Sequence, residues 1–289
     1  MAAASAAAAG LAARWLATPW LVWGVGPMAA VNAGFFLTAA LLELLLATRL
    51  LDSDLLVYPA NGAPAKRRDA ALAATQEKIP FSKQLLTCLF IIAGPHAVAN
   101  GASLTLLMRL AGAPAPAAWW PGDVLSAAWQ LLAMAVVADF GLYWGHRVQH
   151  ESKLLWQVHK VHHRIDTPSP FSTMYIHGLD ATLQGGIPMA LATLLIRPAP
   201  AILYISFGLR VAENALNHSG LDSRLLDFFT LKSLPFRAAA AHHDAHHKYC
   251  NHPKNARNYG ETFYIWDVMF GTVNPRHGTR QGPPPKRVD

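Results

Sequence analysis

The 289-residue sequence has little charge and almost no cysteine. Lys, Arg, Asp and Glu together make up 14% of the residues, against about 25% in typical soluble domains. So few charged side chains do not easily cover the surface of a soluble globule, and a chain this apolar is not intrinsically disordered. The two cysteines, Cys88 and Cys250, are too few for a disulfide scaffold.

Apolar residues, basic charge and histidine are what the sequence has instead. Hydrophobic residues make up 53%, 24 Lys and Arg stand against 17 Asp and Glu, and there are 14 histidines outside the formal charge of +7. A basic balance also occurs in nucleic-acid-binding proteins, but with this apolar content it points first to anionic lipid surfaces. The composition therefore predicts a membrane protein with no nucleic-acid partner.

Three apolar segments are long enough to cross a bilayer, which takes about 20 residues of helix. They run from Met28 to Leu50, from Gln84 to Leu110 and from Val124 to Trp144. The second is interrupted by Gly94-Pro95-His96, so we expect a kink there.

A fourth apolar region is too short to cross on its own. Leu183 to Ile196 has 14 residues, which as a helix reach about 21 Å. Apolar sequence resumes from Ala201 to Leu209, after Arg197-Pro198-Ala199-Pro200. We interpret this region as a helical hairpin that enters the membrane and returns to the same face. A single bent span is the alternative, because proline occurs inside membrane helices.

The basic residues of the connecting segments predict the orientation. Residues 52–83 contain five Lys or Arg, residues 111–123 contain none, and eleven follow Leu209. The positive-inside rule then places the first connection, and everything after Trp144 except the hairpin, on the cytoplasmic side. Trp119, Trp120 and Trp144 fall at the predicted span ends, where interfacial aromatic residues are common.

The histidines are grouped at spacings typical of metal ligands. His146 and His150 are four residues apart, and the pattern His159-x-x-His162-His163 recurs at His243-x-x-His246-His247. Residues three and four apart share one face of a helix, so each group projects two or three imidazoles in one direction. Eight imidazoles exceed the three or four ligands that one ion takes from a protein. The pattern predicts a two-metal site, while Zn, Cu, Fe and Ni all suit imidazole.

Three histidine groups in this order after hydrophobic spans resemble the fatty acid hydroxylase superfamily, which includes sterol desaturases, sterol methyl oxidases and alkylglycerol monooxygenases. Asn258-Tyr259-Gly260 and the stretch from Trp266 to Thr272 resemble its C-terminal signature, so the similarity covers roughly Ala127 to Thr272. With the apolar pattern, the expected fold is an all-α integral membrane protein. It has about three transmembrane helices plus the hairpin, and a cytoplasmic helical cap carries the histidine-rich dimetal site.

The resemblance implies a di-iron oxygenase of the monooxygenase type, which hydroxylates or desaturates a sterol or fatty acyl lipid. It would hold two iron ions and use O2 with electrons from cytochrome b5 or an NAD(P)H-dependent reductase. The sequence shows no phosphate loop or dinucleotide fingerprint of its own. The endoplasmic reticulum is the expected location, with a plastid membrane as the alternative.

A histidine-rich divalent-metal transporter, or a metal-binding membrane protein without oxygenase activity, is the alternative from another class. Such a protein would place histidines inside the spans along a path. Here only His96 lies within a predicted span. The pattern therefore favours the oxygenase.

By match to the motifs, the resemblance implies nine histidine ligands and no catalytic residue beyond them. His218, in Asn217-His218-Ser219, matches a family histidine between the second and third groups. Some relatives carry another histidine four residues earlier, where this chain has Asn214, so a ninth or tenth ligand position stays open. The nine ligands expected are His146, His150, His159, His162, His163, His218, His243, His246 and His247.

Further residues are candidates for contacts to these ligands, because ligating histidines usually donate their second N–H to a carboxylate or carbonyl. Asp139 lies two helical turns before His146 and is favoured for this role over a solvated interfacial one. His177 is expected to contact the site or substrate, or to be structural. We expect His242 beside the site, His96 at the helix break, and His252 and His277 on the surface. The other candidates for contacts are Glu213, Asn214, Asp244 and Asp267.

We divide the chain into four segments. Residues 1–27 are an Ala-rich stretch, interfacial or targeting, in which Trp15, Trp20 and Trp23 favour an interfacial helix. Residues 28–126 hold the first membrane helices and residues 127–275 the fatty acid hydroxylase-like catalytic domain. Residues 276–289 read as a disordered tail because of their consecutive prolines.

Overall fold

The computed structural model describes residues 2–51, 79–165, 168–249 and 256–274. Within these ranges every regular element is a helix, and the pairing of extended backbone is limited to one isolated bridge between Arg237 and Phe263. The predicted all-α fold is confirmed. Most of the basic connection 52–83, the tail 276–289, His252 and His277 lie outside the described residues, and those predictions stay untested.

The helices are numbered here in chain order, and two of them continue from short π-helical segments. The π-helical segment Trp20–Val25 leads into α2, and Thr182–Gly186 joins α7 to α8; His162–Arg164 and Phe171–Met174 are 3₁₀ turns. The helices are α1 (Ala2–Leu16), α2 (Gly26–Ala47), α3 (Phe81–Ile92), α4 (Pro95–Leu110), α5 (Val124–Glu151), α6 (Lys153–His159), α7 (Gly178–Ala181), α8 (Ile187–Ile196), α9 (Pro200–Asn217), α10 (Arg224–Phe229), α11 (Ala240–Tyr249) and α12 (Ile265–Met269).

Four helical segments are long and apolar enough to cross a membrane, and the chain is an integral membrane protein. They are Trp20–Ala47, Phe81–Leu110, Val124–Glu151 and Gly178–Ile196. The second breaks at Gly94 between α3 and α4, where the sequence predicted a kink. The first begins eight residues before the predicted Met28 and the third continues past the predicted Trp144. The third span, α5, therefore carries the first histidine pair itself.

The predicted hairpin is present, but its first arm is longer than expected. The arm has 19 residues rather than 14, because it begins at Gly178, where His177 Nδ1 accepts the Leu179 N–H at 3.1 Å. The arm runs antiparallel to α5. Just after its end, the Ala199 N–H donates to the Gln130 side chain of α5 at 2.9 Å. Arg197 ends the arm in the left-handed conformation (φ 49°). The chain then returns as α9, which ends beside the histidines.

α9 packs closely against α2 because both helices present glycine at their contact. A Cβ placed on Gly34 would lie 2.3 Å from the Gly208 carbonyl oxygen, and one on Gly26 would meet the Tyr204 ring at 2.0 Å. Small residues allow such close approach of membrane helices, where packing rather than the hydrophobic effect drives association. This contact fixes α9 against the first span.

The C-terminal segment is fastened to α5 through a buried carboxylate. Asp139, 1% exposed, accepts hydrogen bonds from the Thr262 N–H, the Phe263 N–H and the Trp266 Nε1–H, each at 2.9 Å. Asn258 adds a backbone bond to the Thr272 carbonyl at 2.9 Å. The segment around α12 is thereby held at the same end of α5 that bears the histidine pair.

Candidate metal centre

The nine histidines expected as ligands come together at one end of the helical bundle. All of them are buried, with no more than 8% of any side chain exposed. α5 supplies His146 and His150 from successive turns, and α6 ends at His159. The 3₁₀ turn after α6 supplies His162 and His163, the residue after α9 is His218, and α11 supplies His243, His246 and His247.

The nine imidazoles separate into two groups, each with its ring nitrogens within 4.8 Å of one another. Adjacent residues His162 and His163 belong to different groups, and so do His246 and His247. Each of the second and third sequence motifs therefore contributes to both groups. The five-histidine group is His146, His150, His159, His163 and His246, and the four-histidine group is His162, His218, His243 and His247.

The spacing of the ring nitrogens fits a shared cation in each group. Nε2 of His159 lies 3.0 Å from Nε2 of both His150 and His163. In the second group, Nε2 of His218 lies 3.1 Å from Nε2 of both His162 and His243. Two nitrogen ligands about 2.1 Å from one ion and at right angles to each other would be ~3.0 Å apart. The donor set, all imidazole, suits a transition metal rather than Mg or Ca.

Four of the nine imidazoles have their second ring nitrogen fixed by an acceptor. An Nδ1–H that donates to a carbonyl or carboxylate leaves the Nε2 lone pair free for a metal. Nδ1 of His150, His162, His163, His243 and His247 has no hydrogen-bond partner within the described residues. The fixed pairs are His146 with the Tyr259 carbonyl (3.0 Å), His159 with the Asp180 carboxylate (2.9 Å), His218 with the Asn214 carbonyl (2.8 Å) and His246 with the Arg257 carbonyl (2.6 Å).

Burial keeps the histidines outside the membrane spans in the neutral form that binds metal. Desolvation lowers their pKa well below the ordinary 6.5, and the neighbouring imidazoles lower it further because two adjacent cations repel each other. The histidines with this shift are His162, His163, His243, His246 and His247.

The acids that the sequence singled out lie around the site with different partners. Asp139 bonds to the segment around α12, as described above. Asp267 accepts from the Tyr259 and Gly260 N–H groups at 2.9 and 2.8 Å and lies 3.1 Å from His242 Nε2. Glu213 binds Lys232 and Arg237 at 2.9 and 2.7 Å. Asp244 is buried on α11.

Asp180 is the carboxylate that the sequence reasoning missed. It is 2% exposed, accepts from His159, and also accepts from Gln184 at 2.8 Å. It lies three residues after His177, the nearest residue that the sequence pattern singles out. Its spacing of 21 residues from His159 gives no periodic signal, so only the fold brings the two together.

The remaining predicted residues have structural contacts. His177 is exposed and caps α7 rather than facing the ligands. His242 lies outside both groups and contacts Asp267, and His96 lies 3.0 Å from the Gly178 carbonyl at the helix break. Asn214 lies one turn before His218, and its side-chain oxygen is buried without a hydrogen-bond partner in the described ranges.

A cavity of about 470 Å³ extends from the four-histidine group between the membrane helices. Its size falls within the range of small-molecule sites. His162 and His218 line it, as do the polar side chains of Arg210, Asn214 and Glu261. Apolar side chains from α2, α3, α4, α8 and α9 line much of the remaining wall, among them Val31, Ile92, Leu104, Met189 and Phe207.

The fatty acid hydroxylase family profile matches residues 131–272, a range that contains all nine histidines. The chain carries a fatty acid hydroxylase domain. The family resemblance of the sequence is thereby confirmed. No solved structure matches this fatty acid hydroxylase domain or the rest of the chain.

Three relatives with different names are similar to this chain. Methylsterol monooxygenase 1 of Rattus norvegicus is 33% identical over 141 residues, covering 49% of this chain and 45% of that protein. Ornithine lipid hydroxylase OlsE of Rhizobium tropici is 30% identical over 181 residues, 62% and 52% of the two chains. Very-long-chain aldehyde decarbonylase GL1-10 of Oryza sativa subsp. japonica is 26% identical over 214 residues, 74% and 67%. The matches span about half to two thirds of these relatives.

Proposed function

We propose that this chain is a membrane-bound di-iron oxygenase, which hydroxylates or desaturates a lipid of sterol or fatty acyl type with O2 and externally supplied electrons. The observation that carries the proposal is the cavity between the membrane helices, which is lined in part by His162 and His218 of the four-histidine group. A cavity with apolar walls beside a metal site suits a long apolar substrate.

The nine histidines would hold two iron ions, one in the five-histidine group and one in the four-histidine group. Bound iron would supply the activation of O2 and the one-electron chemistry that no side chain provides. The carbonyl of Tyr259 and the carboxylate of Asp180 orient His146 and His159 toward the first ion. Residues 127–275 are proposed as the catalytic domain.

The chain's own contribution to the reaction is to bind and align the substrate and to exclude water. The apolar wall formed by residues such as Val31 and Phe207 would hold methylene groups and leave little room for water. Of the nine histidines, His162 and His218 line the cavity, so a C–H bond of the substrate would be presented near them. Holding the two reactants in one orientation lowers the entropic part of the barrier.

The substrate and the electron donor are proposed only by class. The relatives' names mention a methylsterol, an ornithine lipid and a very-long-chain aldehyde, so a lipid is what they have in common. Cytochrome b5 or an NAD(P)H-dependent reductase is the proposed donor, docking on the basic face of the histidine end. That face is proposed to lie in the cytoplasm, with the endoplasmic reticulum as the membrane.

A divalent-metal transporter or a metal-binding membrane protein without oxygenase activity is less well supported. Transport needs ligands spaced along a route through the spans. The nine histidines instead form two compact, buried groups at one end of the bundle. His96, inside a span, is hydrogen-bonded to a carbonyl and a hydroxyl rather than grouped with other histidines.

The test is the metal content of the anaerobically purified full chain. About two irons per chain are expected, together with O2 consumption in the presence of a lipid extract and a reducing system. His162→Ala should lose iron from the four-histidine group and abolish O2 consumption. His177→Asn, which keeps an acceptor for the cap of α7, is the matched control and should retain both iron and activity. A single zinc, or no metal in the unaltered chain, would overturn the proposal.

A further inference from the structure

The segment from Arg224 to Phe236, here called the 224–236 segment, exposes an unusual number of large apolar side chains. It follows α9 and contains α10 and the turns after it. Scattered single apolar residues are common on protein surfaces, but a contiguous set of this size marks an interaction surface. Six side chains are between 47% and 72% exposed: Leu225, Phe228, Phe229, Leu231, Leu234 and Phe236.

The basic side chain of Lys232 points inward, whereas Arg224, Thr230 and Ser233 of the same segment are exposed. Lys232 is 4% exposed, and its ammonium group donates to Glu213 and Asn217 at 2.9 Å each and to the Ala238 carbonyl at 2.6 Å. Ser223, just before the segment, is also buried. A surface loop in water arranges these groups the other way, with the lysine outside and the phenylalanines inside. The six exposed apolar side chains beside one buried lysine therefore indicate an apolar medium around this part of the surface.

The backbone holds two of the apolar residues in an unfavourable conformation. Leu231 and Phe236 have φ values of 57° and 63°, in the left-handed region that residues other than glycine rarely adopt. The turns are fixed by the Lys232 N–H, which donates to the Asp227 carbonyl at 2.8 Å, and by the Tyr264 N–H, which donates to the Phe236 carbonyl at 3.0 Å. Glycine would adopt both conformations more easily. Large apolar side chains occur at these two positions in spite of the backbone strain.

The inner side of the segment packs on the ends of the membrane helices. Leu226 lies against the buried cluster that contains Phe35 and Leu42 of α2, and Leu46 packs on the same cluster. On the same half of α2, Leu37, Leu41 and Leu44 are exposed on the surface that faces lipid. Leu226 thus joins the 224–236 segment to the same apolar cluster as the C-terminal half of α2.

We propose that the 224–236 segment inserts into the lipid leaflet on the histidine side of the membrane. Its six apolar side chains would lie among the acyl chains, about 5–10 Å deep as for other interfacial elements. The buried Lys232 would hold the 224–236 segment to α9 through its bonds to Glu213 and Asn217. Because the segment connects His218 to the histidines of α11, the leaflet would support the four-histidine group from outside. This inference does not depend on the proposed oxygenase activity.

The test is lipid quenching of a probe on the segment, in the full chain reconstituted into nanodiscs of phosphatidylcholine and phosphatidylserine. An environment-sensitive nitrobenzoxadiazole label is placed on F229C, in a C250S background where the buried Cys88 is inaccessible to the reagent. The matched control is K160C, at the residue that follows α6, also exposed and at the histidine end. Blue-shifted emission at F229C is expected, quenched several-fold more strongly than at K160C by lipids with a nitroxide high on the acyl chain.

Other outcomes overturn the proposal. Emission typical of water at F229C would mean that the segment lies outside the bilayer. Blue-shifted emission without lipid quenching would mean that protein covers the patch, either a second copy of the chain or residues 52–78. A repeat with L225C, whose side chain is 60% exposed against 72% for Phe229, guards against a misfolded variant. Unchanged metal content identifies the folded samples. Equal quenching at K160C would also contradict a contact specific to the 224–236 segment.

Discussion

Asp180 accepts a hydrogen bond from Nδ1 of His159 at 2.9 Å, and the two side chains are 2% and 0% exposed. A carboxylate in this position favours the tautomer of His159 with the proton on Nδ1, which leaves Nε2 free and directed toward His150 and His163. Asp180 is therefore a positioning residue for the five-histidine group, and it reaches the site from the first arm of the hairpin.

We predict that Asp180→Ala weakens metal binding by the five-histidine group about 10- to 100-fold. Asp180→Asn should weaken it less, because the amide oxygen still accepts from Nδ1. Competition with a chelator of known affinity measures the change, with iron or cobalt as the probe metal. Asp123→Ser, which keeps a cap on the distant end of α5, is the control. Unchanged metal affinity in Asp180→Ala would remove this role from Asp180.

The sequence predicted the helices well where apolar length alone decides them. The spans near α2, α3–α4 and α5 follow from runs of apolar residues and a Gly-Pro break. The hairpin's first arm is longer than its apolar run, because Asp180 and Thr182 look like loop residues until they pair with His159 and His96. Segments whose polar groups are satisfied by distant residues cannot be distinguished from loops by composition.

The candidate site was predicted residue by residue but not in its arrangement. Spacing along a helix identifies which histidines share a face, and the structure brings the nine together. The spacing does not reveal that His162 and His163 belong to different groups, since that depends on how the 3₁₀ turn after α6 meets α9 and α11. Nor does it find Asp180, whose contact with His159 depends on the hairpin returning to α5.

We predict that Asp139→Ala destabilises the chain by about 3 kcal/mol or more, since three donors are left without their acceptor. These donors belong to Thr262, Phe263 and Trp266. Unfolding in detergent micelles measures the loss. A second readout is the metal affinity of the five-histidine group, because the same segment carries the Tyr259 carbonyl that orients His146. Asp139→Asn should recover part of the stability, and full stability in Asp139→Ala would contradict the fastening role.

We predict that Gly34→Ala destabilises the contact between α2 and α9 by about 1–3 kcal/mol. The new Cβ would lie 2.3 Å from a backbone oxygen of Gly208, which a side-chain rotation cannot relieve. Thermal unfolding in micelles measures the change. Gly10→Ala is the control, since nothing lies within 4 Å of a Cβ there and alanine favours helix. A Gly34→Ala chain as stable as the control would contradict the prediction, because it would show that the contact between α2 and α9 accommodates the added methyl group.

Glu213 is one group whose charge makes stability depend on pH. Burial alone would raise the pKa of its carboxyl, but Lys232, Arg237 and Arg210 together outweigh burial and lower it from 4.5 to about 2. The unfolded chain therefore takes up this proton at a higher pH than the folded chain does. The carboxylate's contribution to stability is complete above pH 4.5 and is lost as the pH falls toward 2.

We predict that Glu213→Gln lowers the free energy of unfolding by about 3 kcal/mol at pH 7, the equivalent of the pKa shift. The buried ammonium of Lys232 then lacks its counter-charge, which adds to the loss. The difference between the two chains should shrink as the pH falls below 4.5, because the original chain becomes protonated at Glu213 as well. Glu151→Gln, in an exposed pair with Arg147, is the control and should cost under about 1 kcal/mol. A difference for Glu213→Gln that stays constant between pH 7 and pH 3 would show that shape and hydrogen bonding, rather than charge, account for the stabilisation.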